Sequence, residues 1–436
     1  MPADLSTYDS ALKEYYVNVM VSILNKKVKL LDLFTKNIDA PRDAGGRRVV
    51  YSLHRNRNVG VGAVSEGNTL PTAGNQGFSE VRIPFFYNYA RVQLTEQAIK
   101  ASMTSKGAFK QATKAEMEGA VNDLARERNR QLWGFGVGIL GRVNGEQPDN
   151  TVINVDSPHG VTGSAGGAKL MVDGQAIAFV RNATPTSATD SDIVATASVK
   201  AIDSIAADQT SITLTATTGA TLNDNDMIVN APAGTGVTTQ SSVNKEPMGL
   251  LGIVDDTTYL TTLHNISRSS FPNYRAAVIN QNGTLTLDAL QRAWDLADER
   301  GGAAKKLLSH HSVRREYQKL LTPLKRYVGK GLVEADGGFD GGSTETNIEW
   351  NGIPWVVERM CPFGMIFGID PENMVRYVES EGEWADRDGK ILNRVLNVDA
   401  YEGRFRVFDN FHCERPNTNF RIDNVTATID AQSATE

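Results

Sequence analysis

Between Val49 and Leu94 the sequence alternates apolar and polar residues with a period of two, on both sides of a Gly- and Pro-bearing break. Val49, Tyr51, Leu53, Val59 and Val61 share one parity, and Ser52, His54, Asn56 and Asn58 the other. Past the tip Ser65-Glu66-Gly67-Asn68-Thr69-Leu70-Pro71, the positions Val81, Ile83, Phe85, Tyr87 and Tyr89 alternate with Arg82, Pro84 and Asn88. That pattern describes two strands, each with one face covered. Roughly fourteen residues per strand at ~3.3 Å each make a ribbon on the order of 45 Å long. A two-stranded ribbon is marginal on its own in water, so its apolar face requires a cover. A neighbouring copy of the chain is a natural cover, which points to assembly rather than catalysis.

A long helix follows the ribbon. Ser105 is a permitted N-cap, and the pattern runs to about residue 134. Met117, Val121, Leu124 and Leu132 fall on one stripe, with Lys114, Glu118, Arg126 and Arg130 at polar positions between them. Some 29 residues at ~1.5 Å give about 43 Å of rod. The rod ends in Asn129-Arg130-Gln131-Leu132-Trp133-Gly134-Phe135-Gly136, a glycine stop of the kind found past helix C-termini. Upstream, Leu12, Tyr15, Tyr16, Val19, Ile23, Leu30 and Leu31 predict a helix within 7–34, broken by Pro41 to Gly46.

From about 156 to 245 the composition changes. Thr, Ser, Ala and Asp dominate, Phe179 is the one aromatic ring of the Phe, Tyr and Trp type, and short strands such as Ser211 to Thr215 alternate with turn clusters. A small, separate β-barrel or sandwich is expected there. The main body resumes at Glu246, with helices expected over 286–300 and 311–321 and strands near 347–358, 365–369, 391–398 and 404–411. A glycine-rich loop covers 337–342, and a disordered tail is expected after Asp430.

The 436 residues suffice for two or three domains with sizeable cores. A formal charge of −6 gives no support to a sequence-independent DNA binder, which carries a basic excess. Cys361 and Cys413 are the only cysteines, too few and too far apart for a disulfide framework, and they suit a reducing cytoplasm. Neither a secretory signal nor an apolar run near 18 residues is visible, so no membrane partner is expected.

Motifs with chemical meaning fail on context. Gly136 to Gly141 spell GxGxxG, but a dinucleotide loop must follow a strand and open a helix, and this one follows a helix. His310-His311 are adjacent, so on a helix they do not face one another. Asp336, Asp340 and Glu345 miss the alternation of a calcium loop. Asn182 and Asn265 open glycosylation triplets that mean little without a signal peptide. No catalytic residue, cofactor or metal ligand is assigned, and no enzyme is expected. The ribbon is more telling. No lysine occurs between Lys36 and Lys100, yet Arg42, Arg47, Arg48, Arg55, Arg57, Arg82 and Arg91 do. Arginine's planar, weakly hydrated fork suits interface ion pairs.

The succession of arm, SEGNTLP tip, aromatic second strand and long helix ending in NRQLWGFGVGIL resembles tailed-phage major capsid proteins of the Hong Kong 97 type. Gly352-Ile353-Pro354-Trp355, Glu381-Gly382-Glu383-Trp384 and the closing strands to Phe411 fit the same order. The resemblance implies an α+β capsid fold: an N-terminal arm over 1–48, an extended β-hairpin loop over 49–94 and a peripheral domain over 95–155 with its spine helix at 105–134. It further implies a return to the peripheral domain over 246–279, an axial domain over 280–390, closing peripheral strands over 391–430 and a disordered tail over 431–436. The 156–245 segment departs from the minimal pattern and is expected to be an inserted β-domain. The subunit interface is expected at Arg55, Arg57, Glu66, Leu70, Arg82, Phe85, Tyr87 and Tyr89.

The implied partners are other copies of the chain in hexamers and pentamers, a separate scaffolding protein, a portal and a decoration protein. Double-stranded DNA would be enclosed without sequence-specific contacts. The implied location is the virion, with assembly in the host cytoplasm. Some relatives join a loop lysine to an asparagine of another subunit; this loop has no lysine, so a non-covalent shell is expected. Only about 50 residues precede the loop, too few for a cleaved scaffolding segment plus an arm. An encapsulin-like compartment or another self-assembling phage protein is the alternative. Replacing Phe85 and Tyr87 with Ser is expected to leave a folded subunit that fails to assemble.

Overall fold

The computed structural model describes residues 29–38, 48–97, 106–164, 166–202, 210–321, 349–386 and 391–427. Most of the expected N-terminal helix, the 337–342 loop and the expected tail lie outside these residues. In chain order, β1 (Thr35–Asn37) precedes β2 (Arg48–Asn56), β3 (Gly77–Pro84), β4 (Phe86–Thr95) and the long helix α1 (Lys106–Gln131). Strands β5 (Ile139–Val143), β6 (Val152–Asp156), β7 (Ala176–Val180), β8 (Ile193–Ile202), β9 (Ser211–Leu214) and β10 (Met227–Asn230) close into a barrel. Then come the one-turn helix α2 (Leu250–Ile253), the hairpin β11 (Thr262–Leu263) and β12 (Ile266–Ser267), and β13 (Ala277–Gly283). Helix α3 (Leu287–Asp298), β14 (Lys306–Ser309) and α4 (His311–Leu321) follow. Strands β15 (Glu349–Trp350), β16 (Ile353–Val357), β17 (Ile366–Ile369), β18 (Met374–Trp384), β19 (Asn393–Arg394), β20 (Ala400–Cys413) and β21 (Phe420–Val425) complete the chain.

Two sheets organise the body. In the first, the long strand β20 pairs antiparallel with β4 from Ala400↔Thr95 to Asp409↔Phe86, and with β18 from Trp384↔Phe405 to Met374↔Cys413. Strand β1 joins β18 in parallel, and β19 pairs with β20. The second sheet runs β13-β21-β17-β14-β16-β15, with α3 packed on β13 and β21. Thr286 caps α3 by accepting from the Ala289 amide at 3.1 Å. Tyr317 of α4 stacks on Trp355 at 4.7 Å. Sheet membership crosses the boundary expected at residue 390: β18 lies before it in the first sheet, and β21 lies after it in the second.

Helix α1 buries the expected stripe of Met117, Val121 and Leu124, with Leu132 just past its end. Its C-terminal end departs from expectation, because Arg128, Asn129, Arg130 and Gln131 are buried too. Arg128 Nη2 donates to both carboxylate oxygens of Asp409 at 2.7 and 2.5 Å, and Arg376 Nε reaches Asp409 Oδ2 at 2.8 Å. Gln131 takes a bond from Arg128 at 3.3 Å and donates to Asn88 Oδ1 at 3.0 Å, which ties the helix to β4 as well as β20. Burial lowers the Arg128 pKa, and the Asp409 carboxylate opposes that shift. Arg130 is held between Glu127 and Glu246, at the chain's return from the barrel.

Helix ends leave carbonyls without intrahelical partners, and here they are buried. The Leu250 amide donates to Leu132 O at 2.7 Å, seating α2 on the end of α1. A Cβ at Gly249 would lie 2.4 Å from Gly134 O, so only glycine allows this approach. The carbonyls at the end of α2 are in turn met by arginines: Arg268 Nη2 donates to Gly252 O and Ile253 O at 2.8 Å each, and Arg421 Nη1 to Val254 O at 2.5 Å. Asp255 lies between the two guanidinium groups, at 3.4 and 3.1 Å.

The barrel is closed, but it is not the separate unit expected. Its first two strands precede residue 156, and its lining residues Ile153, Phe179, Leu214 and Val229 belong to the same apolar cluster as Trp133, Leu250 and Phe367. The reason is local: β5 begins directly after the glycine stop of α1, with no linker. The exit is stitched to the entry by the Asn244 amide on Val137 O at 2.9 Å.

Asp409→Ala leaves two buried guanidinium groups without their shared carboxylate and is expected to destabilise the subunit by about 3–5 kcal/mol. The exposed Arg406–Glu383 pair provides the control, with Glu383→Ala expected to cost no more than about 1 kcal/mol. Denaturant unfolding of the unassembled chain measures both.

Candidate functional site

The arm divides into a root and an outer part. At the root, β2 and β3 pair from Arg48↔Pro84 to Asn56↔Gly77, a shorter ladder than the fourteen residues per strand expected. Residues 57–76 continue outward without a ladder. The two passes stay close there: a Cβ at Gly60 would lie 2.8 Å from Thr72 O. The tip is a turn in which the Asn68 amide donates to Ser65 O at 3.1 Å, with Gly67 at φ +80°, where the left-handed backbone favours glycine.

The alternating apolar face meets two fates. Val49, Val81, Ile83 and Phe85 pack on Leu260, Leu263, Ile266, Tyr274, Val375 and Tyr377 of the same chain. The root therefore has its cover in cis, where a neighbouring copy was expected. Phe85, 5% exposed, belongs to that intramolecular core. Pairing changes at Phe85, because β4 belongs to the first sheet rather than to the arm ladder. Tyr87 and Tyr89, of the same parity, thus stand 50% and 59% exposed, with their ring centroids 4.8 and 5.4 Å from that of Phe408.

Two of the three expected arginines are engaged within the chain. Arg55 donates to Ser270 O at 3.1 Å and lies 5.9 Å over Phe271. Arg82 makes two bonds to Glu80 Oε2, at 2.8 and 2.6 Å. Arg57, Glu66 and Leu70 are exposed, Leu70 to 76%. Val59, Val61 and Val64 are also exposed, so among the described residues the apolar surface of the outer arm has no cover; Phe78, exposed as well, lies on β3 at the root. The structure does not bring the eight expected residues together: Phe85 is inside, Tyr87 and Tyr89 lie on the first sheet, and the others line the arm.

Two features escaped the sequence reading. Leu396 is 86% exposed and Val398 half-exposed, on either side of Asn397 at φ +63° in the turn between β19 and β20. Apolar residues flanking a turn asparagine were the available signal. The register of β4 on β20 also sets Phe408, Arg406 and Arg404 opposite Tyr87, Tyr89 and Arg91. This makes an aromatic and arginine face of a composition enriched at protein interfaces.

The motifs singled out in the sequence serve packing and local bonding here. Gly136 and Gly138 have φ of +84° and +92°, and a Cβ at Gly138 would meet Ser242 O at 2.9 Å, so this stretch serves backbone packing. His310 bonds Ser312 through Nδ1 at 3.0 Å and packs on Phe363. Among the described residues, no group of three or more His, Cys, Asp or Glu side chains is placed to hold a metal, and no helix is long and apolar enough to cross a membrane.

No protein-family model matches the sequence, and no curated protein matches it. Solved structures do. A chain of the cyanophage A-1(L) capsid asymmetric unit superposes with a TM-score of 0.51 at 11% identity, over 87% of this chain and 88% of that one. This chain has a phage capsid fold. The capsid of the native GTA particle gives 0.42 at 9% identity, over 92% and 91% of the two chains. Gordonia phage Cozz gives 0.41 at 9%, over 92% and 87%. Scores below one half carry no weight for the fold.

These positions separate folding from association. Phe85→Ser removes a buried ring and is expected to destabilise the subunit itself by about 3 kcal/mol or more. Tyr87→Ser and Tyr89→Ser, on the exposed face, are each expected to cost no more than about 1 kcal/mol. Thermal unfolding of the unassembled variants distinguishes the two classes.

Proposed function

We propose that this chain is a major capsid protein of the Hong Kong 97 type, which assembles as hexamers and pentamers into an icosahedral phage head around double-stranded DNA. The observation that carries the reading is a capsid fold joined to an arm whose outer part exposes Val59, Val61 and Leu70 with no cover from the described residues. In this reading residues 1–48 are the N-terminal arm, the 49–94 hairpin is the extended loop, α1 is the spine of the peripheral domain and the barrel is an inserted domain on the shell exterior. The second sheet with α3 and α4 forms most of the axial domain around each capsomer centre.

The mechanism is geometric. A loop surface on one copy that meets a different surface on the next makes a head-to-tail contact, which closes into a ring when the rotation allows. The Tyr87, Tyr89 and Phe408 face and the Leu396 turn are the receiving surfaces available on the body. Many modest contacts repeated around a closed shell give high collective stability. The loop has no lysine, so the shell is held by non-covalent contacts, and boiling in detergent should release single chains. A separate scaffolding protein, a portal and a decoration protein are the partners, and DNA is confined rather than read.

Size-exclusion chromatography followed by negative-stain electron microscopy of the purified chain tests the reading, with and without a co-expressed scaffolding protein. Capsomer rings or closed shells are expected. A protein that stays monomeric under both conditions contradicts it.

A further inference from the structure

The arm root rests on two buried histidines that the assembly reading does not use. His264 sits in the turn between β11 and β12 at φ +46°, and its carbonyl accepts from the Arg82 amide of β3 at 3.1 Å. Its ring meets that of His412 on β20, edge to face at 5.0 Å, while its Nε2 bonds Phe411 O at 3.2 Å. His412 in turn shares its Nε2 with the Tyr51 hydroxyl of β2. Strand β2 is therefore tied to the His412 imidazole, and β3 to the backbone carbonyl of His264, whose own ring touches that imidazole. His412 is fully buried, and its Nδ1 has no hydrogen-bond partner.

We propose that His264 and His412 form an acid-sensitive latch, in which protonation of the pair releases β2 and β3 from the body. An added proton would place a cation beside a second imidazole, with both rings buried beneath the arm root. The groups facing the pair do not neutralise it. Tyr51 comes from β2, Tyr377 from β18, Tyr274 from the stretch before β13 and Cys413 from the end of β20; all are neutral, their ionisation opposed by burial. Arg268 is a cation acting against a charge on His264. Glu414 acts on Tyr51 and Tyr377. Burial depresses His264 to about 4, and burial with His264 alongside holds His412 well below its ordinary value. A depressed imidazole favours the docked root fully above about pH 6.5, and that advantage is lost as pH falls through the window down to about 4.

The test is hydrogen exchange of the full, unassembled chain at pH 7.5 and 5.0, with rates corrected for the intrinsic pH dependence, so it does not depend on the shell. Protection of 48–56 and 77–84 is expected to fall about 30-fold or more at pH 5, as one imidazole moving between about 4 and 6.5 requires. Strands β17 and β21 serve as the reference and should keep their protection. The His264→Gln/His412→Gln variant should lose the pH effect; if it does not fold, the wild-type comparison of root against reference decides alone. Equal root protection at both pH values overturns the latch, as does an equal loss in β17 and β21, or an undiminished pH effect in the folded variant.

Discussion

The carboxylate of Asp409, buried between Arg128 and Arg376, is the contact on which the arrangement of this chain turns. It joins the last turn of α1 to the central strand β20, which also carries the pairing with β4 and β18. Charges so deep do little for net stability compared with an apolar core, and removing one partner is costly. Their effect here is to fix position. The end of α1 is held on the first sheet, α2 is seated on that end, and the entry and exit of the barrel are stitched beside it. A rigid body results, to which the arm is attached by its root.

That attachment gives the arm two different halves. The root is core, built from Val81, Ile83 and Phe85 over a same-chain apolar cluster. The outer part has no ladder, and its valines and Leu70 face solvent. In the proposed shell the cover for this surface comes from another copy. The histidine pair lies beneath the middle of the root ladder, at Tyr51 and Arg82.

Much of this was legible in the sequence, because the period-two arm and the helical stripe of Met117, Val121 and Leu124 are local patterns. What could not be read was which partner satisfies each pattern. Parity assigns Phe85 and Tyr87 to one face, and only the change of pairing partner at Phe85 separates them into core and surface. Arg130 read as a polar position between the stripe residues; besides nearby Glu127 its partner is Glu246, and the partner of Arg128 is Asp409, each more than a hundred residues away. The barrel was visible in composition, but its first strands looked like the end of the helix region. Exposed apolar residues at the 396–398 turn gave too short a signal to notice.

In the proposed assembly the outer arm is reserved for another copy, while the root is covered within the chain. Hydrogen exchange compared between assembled and unassembled protein at neutral pH measures this directly. New protection is expected over 57–76 on assembly, with 48–56 and 77–84 already protected in the free subunit and little changed. Assembled particles whose 57–76 amides exchange as fast as in the free subunit would contradict it.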